Sequence, residues 1–182
     1  SGQPFLQMQG PGKEVPSFIC PVRPTEAGEM ARLVQNLVSS LAEKCINALE
    51  INLYDLSKEL LVERGVWERV LAMETNSTKE QFKELLQGML DPEQHLIPAI
   101  SKQMESAPFD VLFLTGIGEV FPYIRSHNLL NNLQKAAKTR PSVLFFPGDY
   151  SHSLESGASL NLFSRFQDDR YYRAFDISQY EV

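Results

Sequence analysis

The sequence lacks the features that mark a membrane, secreted or metal-binding protein. It has two cysteines, Cys20 and Cys45, and three histidines in 182 residues, too few and too widely spaced for a disulfide scaffold or a Cys/His metal site. No apolar run approaches the ~20 residues of a membrane span, and no signal peptide opens the chain. We therefore expect a cytoplasmic protein with buried free thiols and no metal.

The common catalytic motifs are also missing. No Gly-x-Ser-x-Gly elbow occurs, and no stretch brings a nucleophile, a base and an oxyanion site together. Thr115-Gly116-Ile117-Gly118 resembles the start of a phosphate-binding loop, but the following glycine, Lys and Ser/Thr of that loop are absent. Pro122 likewise breaks the dinucleotide-binding fingerprint. The pattern therefore favours a structural turn at Gly116 and Gly118. We expect no catalytic residue and no cofactor.

The charge balance argues against a general nucleic-acid binder, because the net charge is −6 and the pI is about 5.1. One local exception runs from Arg125 to Arg140, where Lys135 and Lys138 add to the two arginines and no acidic residue intervenes. This segment is either an electrostatic patch for phosphate or an acidic partner, or a solvated helix face with cations near its end. Ser126 or Asn128 is expected to cap the helix.

The stretch from residue 109 to residue 148 predicts the fold. Val111 to Leu114 is an uninterrupted apolar run that is typical of a strand buried on both faces. Apolar residues at helical spacing follow, and Val143 to Phe146 forms a second apolar strand that Pro-Gly closes. A strand, a helix and a strand over about forty residues predict a βαβ unit of a parallel sheet.

The rest of the chain extends this α/β pattern. A strand is predicted from Ser17, a helix capped by Thr25, and a second strand over residues 46–53 in which Glu50 should lie near an edge, a strand end or a cation. The helix carries a single apolar stripe that should pack on the sheet. The stripe consists of Met30, Leu33, Val34, Leu37, Val38 and Leu41.

Further helix boundaries follow from capping residues and glycine. Asp55 is a candidate N-cap, Gly65 a helix end, and Ser77-Thr78-Lys79-Glu80 a capping box. Asp91-Pro92 should begin another helix, which Pro98 either kinks or delays.

The last forty residues should contain a loop, an anchor and a final strand. Residues 149–157 predict a surface loop, and residues 171–177 predict a final strand. Between them, an apolar group should anchor the chain on the core, and it consists of Leu160, Leu162, Phe163 and Phe166. We predict one domain over residues 1–182, with a mostly parallel sheet of about five strands flanked by helices in P-loop or Rossmann-like layers without a Walker motif.

Several segments in order resemble the BrxB family, which has also been catalogued as a domain of unknown function. The resemblance covers nearly the whole chain. It is carried by EVPSFI (14–19), NALEINLYDL (47–56), FLTGIGEVFPYIRSHNLLNNLQ (113–134), LFFPGDY (144–150), LNLF (160–163) and DDRYYRAF (168–175).

The resemblance implies a core component of BREX, a bacterial defence system against phage, in the role of an assembly factor without established catalytic activity. The implied partners are the phosphatase-like protein PglZ, the large ATPase BrxC and the methyltransferase PglX. Family members usually carry an extra N-terminal helix, which we expect to be absent here because Ser1-Gly2 is typical of a cloning scar. The loop over residues 151–158 is longer than the family pattern suggests.

Our leading hypothesis is therefore a non-catalytic adaptor of the BREX complex. A degenerate nucleotide-binding or nucleotidase domain is the alternative, using Gly116, Gly118, Arg125 and His127, and a DNA contact through the basic segment is a third. The first candidate surface comprises Gly116, Gly118, Glu119, Arg125, His127, Asn128, Lys135, Lys138 and Arg140. The second comprises Asp149, Tyr150, Asp168, Asp169, Arg170, Tyr172 and Arg173.

Overall fold

The chain folds into a parallel sheet with helices on both faces. A computed structural model describes residues 17–137, 139–153, 157–168 and 174–179. The strands are β1 (Ser17–Val22), β2 (Ala48–Asn52), β3 (Val111–Thr115), β4 (Ser142–Ser153), β5 (Gly157–Leu162), β6 (Phe166–Asp168) and β7 (Phe175–Asp176). The α-helices are α1 (Met30–Ala42), α2 (Leu53–Glu63), α3 (Trp67–Asn76), α4 (Lys79–Met89), α5 (Ile97–Ser106) and α6 (Ser126–Ala136).

The strand order is β2-β3-β4-β1-β7, and every neighbouring pair in this row is parallel. The predicted α/β class with about five mostly parallel strands is thus confirmed. The connection from β1 to β2 crosses the sheet in one direction, whereas the connections through β3 to β4 return in the other. Because such crossovers are right-handed, α1 lies on one face and α2 to α6 lie on the opposite face.

The two faces bury two separate apolar clusters, because successive residues of each strand point to opposite sides. On β4, Leu144 and Phe146 join the cluster beneath α2 to α6, whereas Val143 and Phe145 join the cluster beneath α1. The first cluster contains 24 buried residues and the second contains seven. We call these the thick face and the thin face of the sheet.

Strand β4 corrects the prediction for the residues after Phe146. Instead of ending at Pro147-Gly148 and opening into a loop, the strand continues to Ser153 and pairs antiparallel with β5. A side chain at Gly148 would collide with the backbone oxygen of Asn161. The glycine therefore permits the close approach of two strands rather than a chain reversal. Leu160 and Leu162 are buried and Phe163 is half-buried, as the predicted anchor requires, but Phe166 is exposed and does not take part in it.

Three helix starts differ from their predictions. Asn52 caps α2, with its Oδ1 accepting hydrogen bonds from the backbone N–H groups of Tyr54 and Asp55, so Asp55 is inside the helix. The capping box of α4 lies one residue later than predicted and joins Thr78 to Gln81. A 3-10 helix (Pro24–Glu29) precedes α1, so Thr25 is not its cap.

Other boundaries agree with their predictions. Gly65 has a φ of +66° just after α2, the left-handed conformation in which glycine often ends a helix. Asp91 Oδ1 accepts a hydrogen bond from the Gln94 N–H, and a π-helical turn (Pro92–Leu96) precedes α5. Pro98 therefore delays the α-helix, which was one of the two predicted outcomes. Residues 171–173 of the predicted last strand lie outside the described residues; β7 contains Phe175 and Asp176.

Helix α1 buries only part of its predicted stripe. Met30 and Val34 are buried against the thin face, but Leu33 is 54% exposed and Leu37 is 40% exposed. A stripe of this width needs neighbours on two sides. The sheet supplies one of them, and the two leucines remain at the surface.

Candidate functional site

The carboxyl ends of β2 and β3, Pro147 in the middle of β4 and the start of α1 enclose a cavity of about 170 Å³. We call it the glycine cavity, because Gly116 and Gly118 line it together with Asn52, Thr115 and Phe163. It occupies the crevice at which helices leave the sheet on opposite faces, where ligands of open α/β sheets commonly bind. Its volume is below the about 300–1,000 Å³ of most small-molecule sites.

Both glycines serve internal packing. A Cβ on Gly116, whose φ is +76°, would lie 2.6 Å from the Asn52 Oδ1. A Cβ on Gly118 would lie 2.8 Å from the Cζ of Phe163 and 2.9 Å from the Cγ of Pro147. This geometry favours the structural turn over a phosphate cradle. Glu119 is exposed beside the cavity.

Glu50 lies on β2, which is an edge strand of the sheet. An edge was one of the three placements expected for this carboxylate. Its Oε1 accepts a hydrogen bond from the Thr115 hydroxyl at 3.3 Å, and the carboxylate is half-buried. The neighbouring strand therefore satisfies one oxygen of this carboxylate without a cation.

Arg125 lines a different cavity, of about 310 Å³, which we call the arginine pocket. Its other lining residues are Phe121, Ser126, Phe146, Leu160, Leu162, Arg165 and Phe166. The pocket forms where the start of α6 meets the β4–β5 hairpin and the turn after β5. Arg165 was absent from the sequence predictions and no motif marks it, whereas Phe166 was predicted to anchor the chain on the core and is instead exposed beside this pocket.

The start of α6 differs from the predicted cap. Arg125 occupies the N-cap position without a side-chain hydrogen bond, and Ser126 is the first helical residue. His127 is buried with 3% exposure, whereas Asn128 is exposed. The four residues of the nucleotide hypothesis are therefore not brought together, because the two glycines line one cavity and Arg125 lines the other.

The basic segment divides between the two ends of α6. Lys135 is at the end of this 11-residue helix, about 15 Å from Arg125 at a rise of 1.5 Å per residue. Its Nζ lies 3.5 Å from Glu93 Oε1, and Arg140 lies 3.6 Å from Asp110 Oδ1. Lys138 lies outside the described residues. Among the described cations of the basic segment, only Arg125 lines the arginine pocket. The other arginine there, Arg165, lies outside the segment.

The structure describes part of the second candidate surface, and two of its described members, Asp149 and Tyr150, have internal partners. Asp169, Arg170, Tyr172 and Arg173 lie outside the described residues, and Asp168 belongs to β6. Asp149 accepts a hydrogen bond from the Ser164 hydroxyl at 2.6 Å. The Tyr150 hydroxyl donates to the Ala174 oxygen at 2.6 Å and so ties the start of the last described segment to β4.

Two groups near β7 have shifted pKa values. Burial, reinforced by the charge of Asp176, raises the pKa of Tyr150 to about 12. The same two causes, in the same order, raise the pKa of the Cys20 thiol. Both cysteines are free, as predicted, but Cys45 is exposed rather than buried.

The described residues carry no metal cluster and no membrane helix. Within them, no group of three or more His, Cys, Asp and Glu side chains is placed to hold a metal ion. No helix in this part of the chain has both the length and the apolar character needed to cross a membrane.

Comparisons with known proteins identify the family. The profile described as "BREX protein BrxB" matches residues 49–177. A protein of that name from Bacillus cereus (strain H3081.97) is 33% identical over 186 residues, covering 95% of this chain and 88% of the relative. Another from Escherichia coli O9:H4 (strain HS) is 30% identical over 179 residues, covering 95% and 83%. No solved structure matches.

These matches define the class first: the chain is a component of a BREX system, which implies a role in phage defence. More specifically, it belongs to the BrxB family, so the resemblance seen in its motifs is confirmed. As a BREX component it works with other proteins of that system.

Proposed function

We propose that this protein is a non-catalytic adaptor that joins the phosphatase-like and ATPase components of a BREX complex. Family membership supports a place in that complex. The observation that supports the bridging role is the exposed apolar side of α1. An adaptor of this kind needs surfaces that leave apolar groups in water until a partner covers them.

The exposed side of α1 has the form of a helix docking surface. Leu33 and Leu37 are four residues apart and therefore lie on one face of the helix, with 54% and 40% of their surfaces exposed. Met30 and Val34 occupy the adjacent face and fix α1 to the sheet. The helix is thus held rigidly by one apolar face while it presents another, which lowers the ordering cost of binding.

The test is a pairwise and three-way assembly experiment with the purified BREX phosphatase-like protein and ATPase. Size-exclusion chromatography with light scattering should show each partner co-eluting with the chain at micromolar concentration. The three together should form a species larger than either pair. If neither protein associates with the chain at these concentrations, the proposal is wrong.

Charge substitutions in α1 test whether this helix is the docking surface. The double variant Leu33→Glu/Leu37→Glu should lose one partner, because charged side chains cannot be buried in an apolar interface without a counter-ion. Gln35→Glu/Asn36→Glu is the matched control, since both residues are exposed on the same helix and the change in charge is equal. Equal binding by the two double variants would exclude α1 as the docking surface.

A further inference from the structure

The arginine pocket combines an apolar floor with a cationic mouth. Phe146, Leu160 and Leu162 are buried within the fold and line the pocket from below. Arg125 and Arg165 are exposed. Neither guanidinium has an ion pair or a hydrogen bond with another described residue. Two unpaired cations therefore adjoin one apolar cavity in a chain whose net charge is −6.

The start of α6 adds hydrogen-bond donors to this mouth. The side chain of Arg125, at the N-cap position, makes no capping hydrogen bond, so it does not itself cover the N–H groups at the start of the 11-residue helix. Ser126 lines the pocket and is only 7% exposed, and its hydroxyl has no hydrogen-bond partner within the described residues. This hydroxyl is open to the pocket and can donate a hydrogen bond to an incoming acceptor. Guanidinium groups, helix N–H groups and this hydroxyl all suit a carboxylate.

The rim of the pocket indicates that the carboxylate belongs to a protein. Phe166 is 49% exposed and stacks on Phe121 with ring centroids 4.9 Å apart. Small-molecule pockets bury about 70–90% of their ligand, whereas here the aromatic and both arginines lie at the outer surface. Aromatic and arginine side chains around a pocket are typical of the residues that dominate protein interfaces.

We infer that the arginine pocket docks a partner protein through a C-terminal carboxylate that adjoins a bulky apolar side chain. The carboxylate binds between Arg125, Arg165 and the start of α6, and the apolar group enters above Phe146 and Leu162. This inference rests on the proposed adaptor function for the nature of the partner. It places a second interaction surface on the opposite face of the sheet from Leu33 and Leu37.

The pocket can be tested apart from any partner with two small probes. N-acetyl-phenylalanine carries the carboxylate and the apolar group, whereas its amide carries the apolar group alone. In two-dimensional NMR titrations of the whole chain, the acid should shift the Ser126 amide and the Leu160 and Leu162 methyl signals. We expect it to bind about tenfold or more tightly than the amide. Equal shifts from both probes, or none from the acid, would overturn the inference.

Charge reversal then links the pocket to the partner. Arg165→Glu should weaken acid binding and the affinity for one BREX partner by about tenfold or more. Arg69→Glu is the matched control, because Arg69 is equally an exposed arginine and lies outside the pocket. Unchanged partner affinity in Arg165→Glu would refute the docking role. If the wild-type chain binds no partner, the adaptor proposal and its docking role both fail, while the probe titration still decides whether a carboxylate site exists.

Discussion

In the described part of the chain, five α-helices pack on the thick face of the sheet, whereas α1 and a 3-10 turn (Ile177–Gln179) pack on the thin face. The thick face buries 24 residues in one cluster and the thin face buries seven. Strands β1, β3 and β4 supply both clusters, so most of the difference arises from the helices. The thick face provides most of the apolar burial that stabilises the fold, whereas the helix on the thin face leaves Leu33 and Leu37 exposed.

The largest expected difference between the two faces is in the stability of a pair of leucine truncations. Leu129→Ala removes a fully buried side chain of α6 from the thick face and should lower the free energy of unfolding by about 2–5 kcal/mol. Leu37→Ala removes an exposed side chain from α1 and should change it by no more than about 0.5 kcal/mol. Urea denaturation measures both values. Equal losses would mean that α1 already buries its outer leucines in the free chain.

A second test compares the two thiols. Cys20 is partly buried on the thin face and has a raised thiol pKa, whereas Cys45 is exposed. Because the thiolate is the nucleophile, Cys45 should react with Ellman's reagent at pH 7 about tenfold or more faster than Cys20. The variant Cys45→Ser should retain only the slow phase. A fast phase in that variant would show that the thin face is open to solvent beside β1.

A third, smaller effect should come from the capping box of α4 on the thick face. Thr78→Ala removes the hydrogen bond from the Gln81 N–H to the Thr78 hydroxyl, which spans 3.2 Å, and should cost about 1 kcal/mol of stability. Ser77→Ala is the control, because the structure shows no hydrogen bond for the Ser77 side chain. Thermal unfolding of both variants should separate them, and indistinguishable melting temperatures would argue against the shifted box.

The smallest effect should come from Tyr150, which packs against the thick face. Its folded pKa of about 12 lies above the ordinary value of 10.0, so the folded chain holds this proton more tightly than the unfolded chain does. The resulting stabilisation is complete below pH 10 and is lost as the pH rises through about 12. A difference titration of tyrosinate absorbance between wild type and Tyr150→Phe measures this pKa. A midpoint at 10 would contradict the burial of this hydroxyl near the charge of Asp176.

Sequence patterns predicted the central βαβ unit because its signals are local. The apolar run of β3 and the helical spacing of α6 depend only on residues that are near in the chain. Pro147-Gly148 was interpreted wrongly for a related reason: the dipeptide commonly marks a turn, but here Gly148 admits the backbone of Asn161 from another strand. That contact depends on pairing across the hairpin, which no local pattern records.

The candidate site was predictable only in part. Arg125 was identified from its position after the glycine turn, but Arg165 lies forty residues away and reaches the same pocket through the β4–β5 hairpin. The exposure of Leu33 and Leu37 was also missed, because periodicity shows that a helix has an apolar stripe and not how much of it a sheet can cover. The run of cations from Arg125 to Arg140 was misleading as the sign of a single patch, because α6 places Arg125 and Lys135 at its opposite ends.

The central claim is that the chain binds two BREX partners through separate surfaces on opposite faces of one sheet. The most direct measurement is the affinity of immobilised chain for the phosphatase-like protein and for the ATPase, using wild type, Leu33→Glu/Leu37→Glu and Arg165→Glu. We expect each variant to lose a different partner by about tenfold or more and to retain the other. Loss of the same partner in both variants, or of neither partner in either variant, would contradict the account.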